Sequence, residues 1–280
     1  FKGERAVVCG MDFAREAFCG FDPYVRARYL CREGRTIRRG AKILSVKGPA
    51  RAILAAERTA LNFICHLSGI ATETARFVQA AASRKARFVV SDTRKTHPGL
   101  RLAEKYAVKT GGGEPHRRDL ASFAMIKDNH LRVFQRLHGP GWGRALAVKI
   151  RGLRRRGLEV EVEVQSLKEL SEVLAIAPGA QPGPRSSAQG AAAPGALIGP
   201  RSSAQGAARP DWIMLDNFNG PVLRRAVDRI RSAAPEIKIE VSGGVRLDGL
   251  LALASLPIDR VSSGAIVHSA PFADFSLEFF

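Results

Sequence analysis

Between Ser91 and Asn129 the sequence gathers basic side chains at positions punctuated by apolar runs and glycines. Arg94 and Lys95 follow one apolar run, His116, Arg117 and Arg118 follow Gly111, Gly112 and Gly113, and Lys127 closes a second apolar run. Arginine offers a planar fork that matches a carboxylate or phosphate, and lysine a compact point charge. A lone Arg-Lys pair is most often solvated surface. Two such groups at consecutive strand ends, joined by a helix and a Gly-rich turn, point to a pocket for a strongly anionic ligand.

Acids and glycine turns recur at the ends of later apolar runs. Glu163 comes with Gln165, and Asp216 with Asn217. Two carboxylates among cations can hold Mg2+ or pair with sugar hydroxyls. In LEVEVEV, Glu159, Glu161 and Glu163 alternate and so share one face. Glu163 is nearest the strand end and is the functional candidate; Glu159 and Glu161 are expected to meet lysines or solvent. Ser242-Gly243-Gly244 and then Ser262-Ser263-Gly264 are turns with free backbone N–H groups, suited to phosphate. One Gly-rich turn after a strand is commonplace, and two in succession carry more weight. No Ser-His-Asp set or H-E-x-x-H helix is present. His97, His116 and His130 share no metal-ligand spacing, and His116 beside Arg117 reads as an anion contact. Such a site positions substrates and neutralises charge instead of supplying a nucleophile. That suits transfer between phosphate-bearing substrates.

The elements that must position these groups can be read from hydrophobic period. Residues 1–48 read as short strands (6–9, 24–30, 41–46) around a helix over 12–18. Pro49 opens a helix over 50–67, with Gly69 as its stop, and a second helix covers 72–83. Arg58 falls on the polar side of the first. From Ala86 the pattern alternates strand and helix. Strands are expected at 87–90, 123–127, 145–150, 158–164, 212–215, 237–241 and 260–262. Helices are expected at 167–176, 222–233 and 247–254. Alternation with β-branched strands predicts a parallel sheet clothed by helices, closing toward a barrel whose site lies at the strands' carboxyl ends. Residues 178–210 interrupt it with two copies of GPRSSAQGAA. This composition buries too little to order itself, so a surface insert is expected.

Composition bounds the remaining options. With 45% hydrophobic and 25% charged residues the chain is an ordinary globular one. No run is apolar and long enough to span a membrane, and FKGERAVVCG contains no legible signal peptide. The balance of 44 Lys+Arg against 26 Asp+Glu, net +18, invites a nucleic-acid reading. The charges are scattered, however, and no nucleic-acid module is legible, so nucleic acid is not the expected partner. Cys9, Cys19, Cys31 and Cys65 form no C-x-x-C pair; they read as reduced thiols of a cytoplasmic protein, neither zinc ligands nor a disulfide framework.

Eight ordered segments then carry a resemblance: ERTALNF (57–63), DTRKTHPGLRLAEKYAVKTGGG (92–113), PHRRDL (115–120), IKDNH (126–130), EVEV (161–164), LDNF (215–218), EVSGGV (240–245) and SSGAIVHSA (262–270). Together they resemble the quinolinate phosphoribosyltransferase family across nearly the whole chain outside the insert. The resemblance implies an incomplete α/β barrel over 70–267. It also implies a smaller N-terminal α/β sandwich over 1–69, to which the tail, 268–280, returns. It further implies a homodimer with a shared active site, or a higher oligomer. The implied reaction joins quinolinate and phosphoribosyl pyrophosphate with Mg2+, giving nicotinate mononucleotide, pyrophosphate and CO2. By motif, Arg58 resembles the arginine that the family donates across the dimer. Arg94, His116, Arg117 and Lys127 resemble the quinolinate cage, and Lys95 and Lys127 resemble contacts to the phosphoribosyl donor. Glu163 and Asp216 resemble the acids for ribose and Mg2+, and Ser242, Gly243 and Gly264 the phosphate turns. Lys95, Lys127, Glu163 and Asp216 are the implied catalytic set. The pattern departs from the family's at His97, at Arg118 and Asp119, at Gln165 and at the insert. Two alternatives remain at this point. One is a related barrel of molybdenum-transport clusters, whose members tend to lack the lysine of IKDNH that stands here as Lys127. The other is a basic, non-catalytic nucleic-acid-binding barrel.

Overall fold

The computed structural model describes residues 1–117, 123–176 and 208–279. It divides into two compact units. The first comprises Phe1–Arg118, Gly244–Ser255 and Arg260–Phe280, and the second comprises Asp119–Gly243 and Leu256–Asp259. Arg118, Asp119 and most of the 178–210 insert lie outside the described residues.

The first unit opens with β1 (Arg5–Val7), α1 (Met11–Cys19), β2 (Arg26–Tyr29), β3 (Thr36–Arg38) and β4 (Leu44–Lys47). β1 pairs antiparallel with β3, and β2 with β4. β3 was not foreseen: only Ile37 in its three residues is buried, too little for an alternating pattern to register. The next element, α2 (Ala50–Ser83), corrects the expectation of two helices. Gly69 does not stop it. A Cβ there would lie 2.1 Å from the Pro271 carbonyl oxygen, so the glycine admits the returning tail against the middle of the helix. Ala6, Val8, Met11, Phe18, Ile53 and Ile64 bury together with Phe275. The Lys2 N–H donates to the Asp274 carbonyl (2.8 Å), and the Ala273 N–H donates to that of Cys65 (2.9 Å). The tail thus does return to the N-terminal elements. β5 (Val89–Ser91) and α3 (Arg101–Thr110) follow.

In the second unit come β6 (Ala124–Ile126), α4 (Asp128–His138), α5 (Trp142–Arg155), β7 (Val160–Val164), α6 (Leu167–Leu174), β8 (Trp212–Asp216), α7 (Gly220–Ala233) and β9 (Lys238–Ser242). Here β6, β7, β8 and β9 are parallel neighbours in that order. The strand expected at 145–150 is instead the middle of α5. Its buried residues Trp142, Leu146, Ala147 and Ile150 recur at helical spacing, which outweighs the β-branched content. The chain then returns to the first unit through α8 (Leu247–Leu253), β10 (Arg260–Ser262) and α9 (Ala265–His268), with β10 parallel to β5. Six of the seven expected parallel strands therefore form, each followed by a helix. This is the alternation of an α/β barrel with fewer units than a complete one.

Val160, Val162 and Val164 are fully buried along β7, while Glu161 and Glu163 alternate with them and are also buried. Each such valine contributes about 1.5–3 kcal/mol at most, whereas a carboxylate buried beside them costs free energy that a partner must offset. Apolar burial therefore fixes the strand, and the acids ride on its second face.

Candidate functional site

In the first unit the chain leaves β5 into Asp92, which is fully buried. The ammonium of Lys105, one residue past Glu104 on α3, donates to both carboxylate oxygens of Asp92 at 2.9 and 2.7 Å. It also donates to the His116 carbonyl at 3.0 Å, and the His116 N–H donates to Asp92 at 2.7 Å. One buried ion pair thereby pins the Asp92–Lys95 segment and the His116–Arg117 segment together. Burial pushes the Asp92 carboxyl above its ordinary range, opposed by the Lys105 charge and by hydrogen bonds from Lys105 and the His116 N–H. Burial likewise pushes the Lys105 ammonium down, opposed by Asp92. Arg94 and Lys95 stand exposed beyond this lock.

His116 is buried. Its Nδ1 accepts the Arg117 N–H at 2.8 Å, and its Nε2 lies 3.5 Å from Arg260 Nη1. Its backbone is therefore structural whatever its ring contacts. The turn after β10 comes close to the same segment: the Ser263 N–H donates to the Ser91 carbonyl at 2.9 Å. A Cβ on Gly264 would lie 3.3 Å from Thr93 Oγ1 and 3.0 Å from His268 Nε2, so a side chain there would crowd both. Arg58 is exposed on α2, the polar side expected of it.

The second unit holds the acids. Lys127 precedes the first turn of α4, and its N–H donates to His130 Nδ1 at 2.9 Å. Asp128, Asn129 and His130 form that first turn. The Lys127 ammonium pairs with the Glu163 carboxylate at the end of β7. The Glu163 side chain is 7% exposed and that of Lys127 44%. Register places Glu163 opposite Met214, so Asp216, two residues further along β8, shares its face. Asp216 accepts from Gln165 Nε2 (3.2 Å) and Asn217 Nδ2 (2.8 Å). Gln165, a departure from the family's pattern, thus orients the acid. Asn217 has φ 58°, a left-handed conformation that asparagine tolerates, and its N–H donates to the Ser242 carbonyl at 3.0 Å. Beside it Gly243 has φ +89°, and a Cβ would lie 2.3 Å from Asn217 Oδ1. Only glycine fits this turn. Glu163 and Asp216 offer oxygen ligands from one face, a donor set that fits a hard divalent cation such as Mg2+. Glu159 meets Lys238 Nζ at 3.8 Å and Trp212 Nε1 at 3.4 Å, the surface role expected of it.

Sequence reasoning missed Lys105, Glu104 and Arg260. The signal existed for α3: Glu104 and Val108 are one turn apart, as are Ala103 and Ala107, so an acid and a lysine share the apolar side of LRLAEKYAV. Buried charge on such a side requires a partner, and Asp92 was in view at a strand end. Nothing local to β10 marks Arg260.

Parallel strands that end in cations, carboxylates and glycine turns define an α/β enzyme class acting on multiply anionic substrates. Residues 1–68 match the family Quinolinate phosphoribosyl transferase, N-terminal domain, and residues 70–278 match its C-terminal domain. The chain belongs to the quinolinate phosphoribosyltransferase family. It is 34% identical to a probable nicotinate-nucleotide pyrophosphorylase [carboxylating] of Synechocystis sp., over 98% of this chain and 80% of the relative. It is 35% identical to the nicotinate-nucleotide pyrophosphorylase [carboxylating] of Mycobacterium leprae, over 98% of this chain and 83% of the relative. Among solved structures it is similar to NadC from Streptococcus pyogenes, with TM-score 0.77 and 34% identity, over 100% of this chain and 84% of the other.

Proposed function

We infer that the chain transfers phosphoribosyl from phosphoribosyl pyrophosphate to quinolinate with decarboxylation. The products are nicotinate mononucleotide, pyrophosphate and CO2, in NAD biosynthesis. Family membership over both domains supports this, and the observation that carries it is Lys127 paired with Glu163 at a strand end. A molybdenum-cluster barrel tends to lack that lysine, and a nucleic-acid binder has no use for the paired acids.

Quinolinate is a dianion with vicinal carboxylates on a pyridine ring. Arg94, His116, Arg117 and Lys127 supply its cage, with Arg58 contributed to the partner subunit of a homodimer or higher oligomer. Their charges orient the ring nitrogen toward the anomeric carbon of the donor. A bond forms from that nitrogen to the carbon as the carbon–pyrophosphate bond breaks. Lys95 and Lys127 bind the donor's phosphates, while Ser242, Gly243 and Gly264 take phosphate through backbone N–H groups. Glu163 and Asp216 hold the ribose hydroxyls and Mg2+. When bound, Mg2+ neutralises charge on the leaving pyrophosphate. The ring carboxylate beside the nitrogen then leaves as CO2, its bonding pair staying on the ring carbon until a proton arrives. The cationic cage and the ring's new positive charge stabilise that pair. The setting proposed is the cytoplasm; among the described residues no helix is long and apolar enough to cross a membrane.

The test combines the protein with quinolinate, phosphoribosyl pyrophosphate and Mg2+ and measures nicotinate mononucleotide beside an Arg58→Ala variant. Product from the parent and none from the variant is expected. A folded, dimeric parent without product would move the assignment to the molybdenum-cluster relatives.

A further inference from the structure

Within the first unit one cluster of metal-ligating side chains has no part in the proposed reaction. His66 on α2, His97 in the segment between β5 and α3, and Glu104 on α3 converge. His66 Nε2 lies 2.9 Å and His97 Nδ1 2.6 Å from the same oxygen, Glu104 Oε1. The second carboxylate oxygen accepts the His97 backbone N–H at 3.1 Å. All three ligand atoms lie within 4.8 Å of one another. The imidazoles stand edge to face, centroids 5.2 Å apart at 84°, and the Phe272 ring lies 5.2 Å from that of His66. The Glu104 side chain is fully buried, that of His66 10% exposed and that of His97 49% exposed.

We propose that His66, His97 and Glu104 form a binding site for a divalent transition cation of the Zn2+ or Co2+ class. Two imidazoles and one carboxylate are the ligands such ions favour, whereas Mg2+ prefers oxygen alone. Tetrahedral coordination at zinc bond lengths sets ligand atoms about 3.3 Å apart. The His97 nitrogen must therefore retreat from Oε1 by about 0.7 Å, which rotation of its exposed ring supplies, and the His66 nitrogen by only about 0.4 Å. The carboxylate is already oriented by the His97 N–H, as outer-shell hydrogen bonds orient metal ligands generally. His97 leaves the fourth position open to water. The ligands come from two helices and from the segment that also carries Arg94 and Lys95. An occupied site therefore ties that segment to α2 and α3.

The protein is stripped with chelator and titrated with Co2+ in the absence of substrate, with a large excess of Mg2+ present. One equivalent is expected to bind, with the visible bands of tetrahedral Co2+, no ultraviolet thiolate band, and displacement by Zn2+. His97→Thr changes an exposed residue and should stay folded by circular dichroism while weakening Co2+ at least about tenfold, the scale on which single partners of a metal site matter. Glu104→Gln is expected to do the same. The proposal is overturned if the parent gives no tetrahedral bands at millimolar Co2+, if a thiolate band appears, or if folded His97→Thr binds as tightly as the parent. Any of these would make the three residues a hydrogen-bonded His–carboxylate–His chain and nothing more.

Discussion

Replacing Lys105 by Met would remove the cation that neutralises Asp92 while keeping the length of the side chain. The Asp92 side chain is fully buried and that of Lys105 4% exposed, so solvent offers the abandoned carboxylate little help. Removing one partner of such a pair costs about 3–5 kcal/mol, a large share of the 5–15 kcal/mol typical of a folded protein. Asp92 can escape part of this by taking up a proton. In the variant its folded pKa is then raised further above the unfolded value. The unfolded chain loses that proton first as pH rises, so the variant loses stability with rising pH and recovers some of it in acid. Urea unfolding of parent and variant between pH 5 and 8 measures both effects. A second substitution, Asp92→Leu on top of Lys105→Met, removes the orphaned charge and is expected to return more than half of the loss. The His116 N–H remains without its acceptor, at about 1–3 kcal/mol. Activity should not return with stability in the double variant, because the Lys105 and Asp92 hydrogen bonds that tie the Arg94 segment to His116 itself are then lost. A loss below about 1 kcal/mol for Lys105→Met, or one independent of pH, would refute the idea of a dry pair.

Three further outcomes are expected. Arg94→Ala and Lys127→Ala should each lower turnover by at least about 100-fold, the scale of a lost charge-stabilising donor; the urea midpoint should change little for exposed Arg94 and fall for Lys127→Ala, which leaves the buried Glu163 carboxylate without its cation. Gly69→Ala tests two opposed magnitudes. Alanine favours a helix interior by about 1 kcal/mol, but the Pro271 carbonyl 2.1 Å from the new Cβ must move by more than an ångström, so overpacking of about 1–3 kcal/mol should win. Lower stability and faster proteolysis of the tail are the readouts. Cys9 is fully buried, and burial pushes its thiol well above the ordinary range of a cysteine. The unfolded thiol ionises first, so stability should fall as pH rises past about 9, and Cys9→Ala should flatten that slope in alkaline urea titrations.

The sequence made much of this arrangement legible because its polar groups sit where apolar runs stop. Arg94, Lys127, Glu163, Asp216 and Gly243 could be placed at strand ends from that coincidence alone. The errors have physical reasons. Gly69 reads as a stop because glycine usually marks one, and its real cause is the carbonyl of Pro271, far along the sequence. Residues 145–150 read as a strand because valine and isoleucine favour one, and helical spacing of the buried set overrode them. Lys105 and Glu104 went unremarked because charged residues in a helix usually face solvent, although the Ala103–Ala107 and Glu104–Val108 spacing marks the buried side of α3. The His66–Glu104–His97 contact was out of reach because it joins residues 31 and 7 positions apart, with no shared spacing.

The tail that crosses α2 also sets an order of events at the ribosome. Phe275 belongs to the same apolar cluster as Ala6, Val8 and Met11, and the Lys2 N–H donates to the Asp274 carbonyl. The nascent N-terminal elements can form their local helices early, yet their core lacks a member until the chain has been translated through Phe275. Contacts of such long sequence separation close late. Until then the apolar side of α2 near Gly69 stays uncovered, and it is the stretch on which a holding chaperone would find purchase.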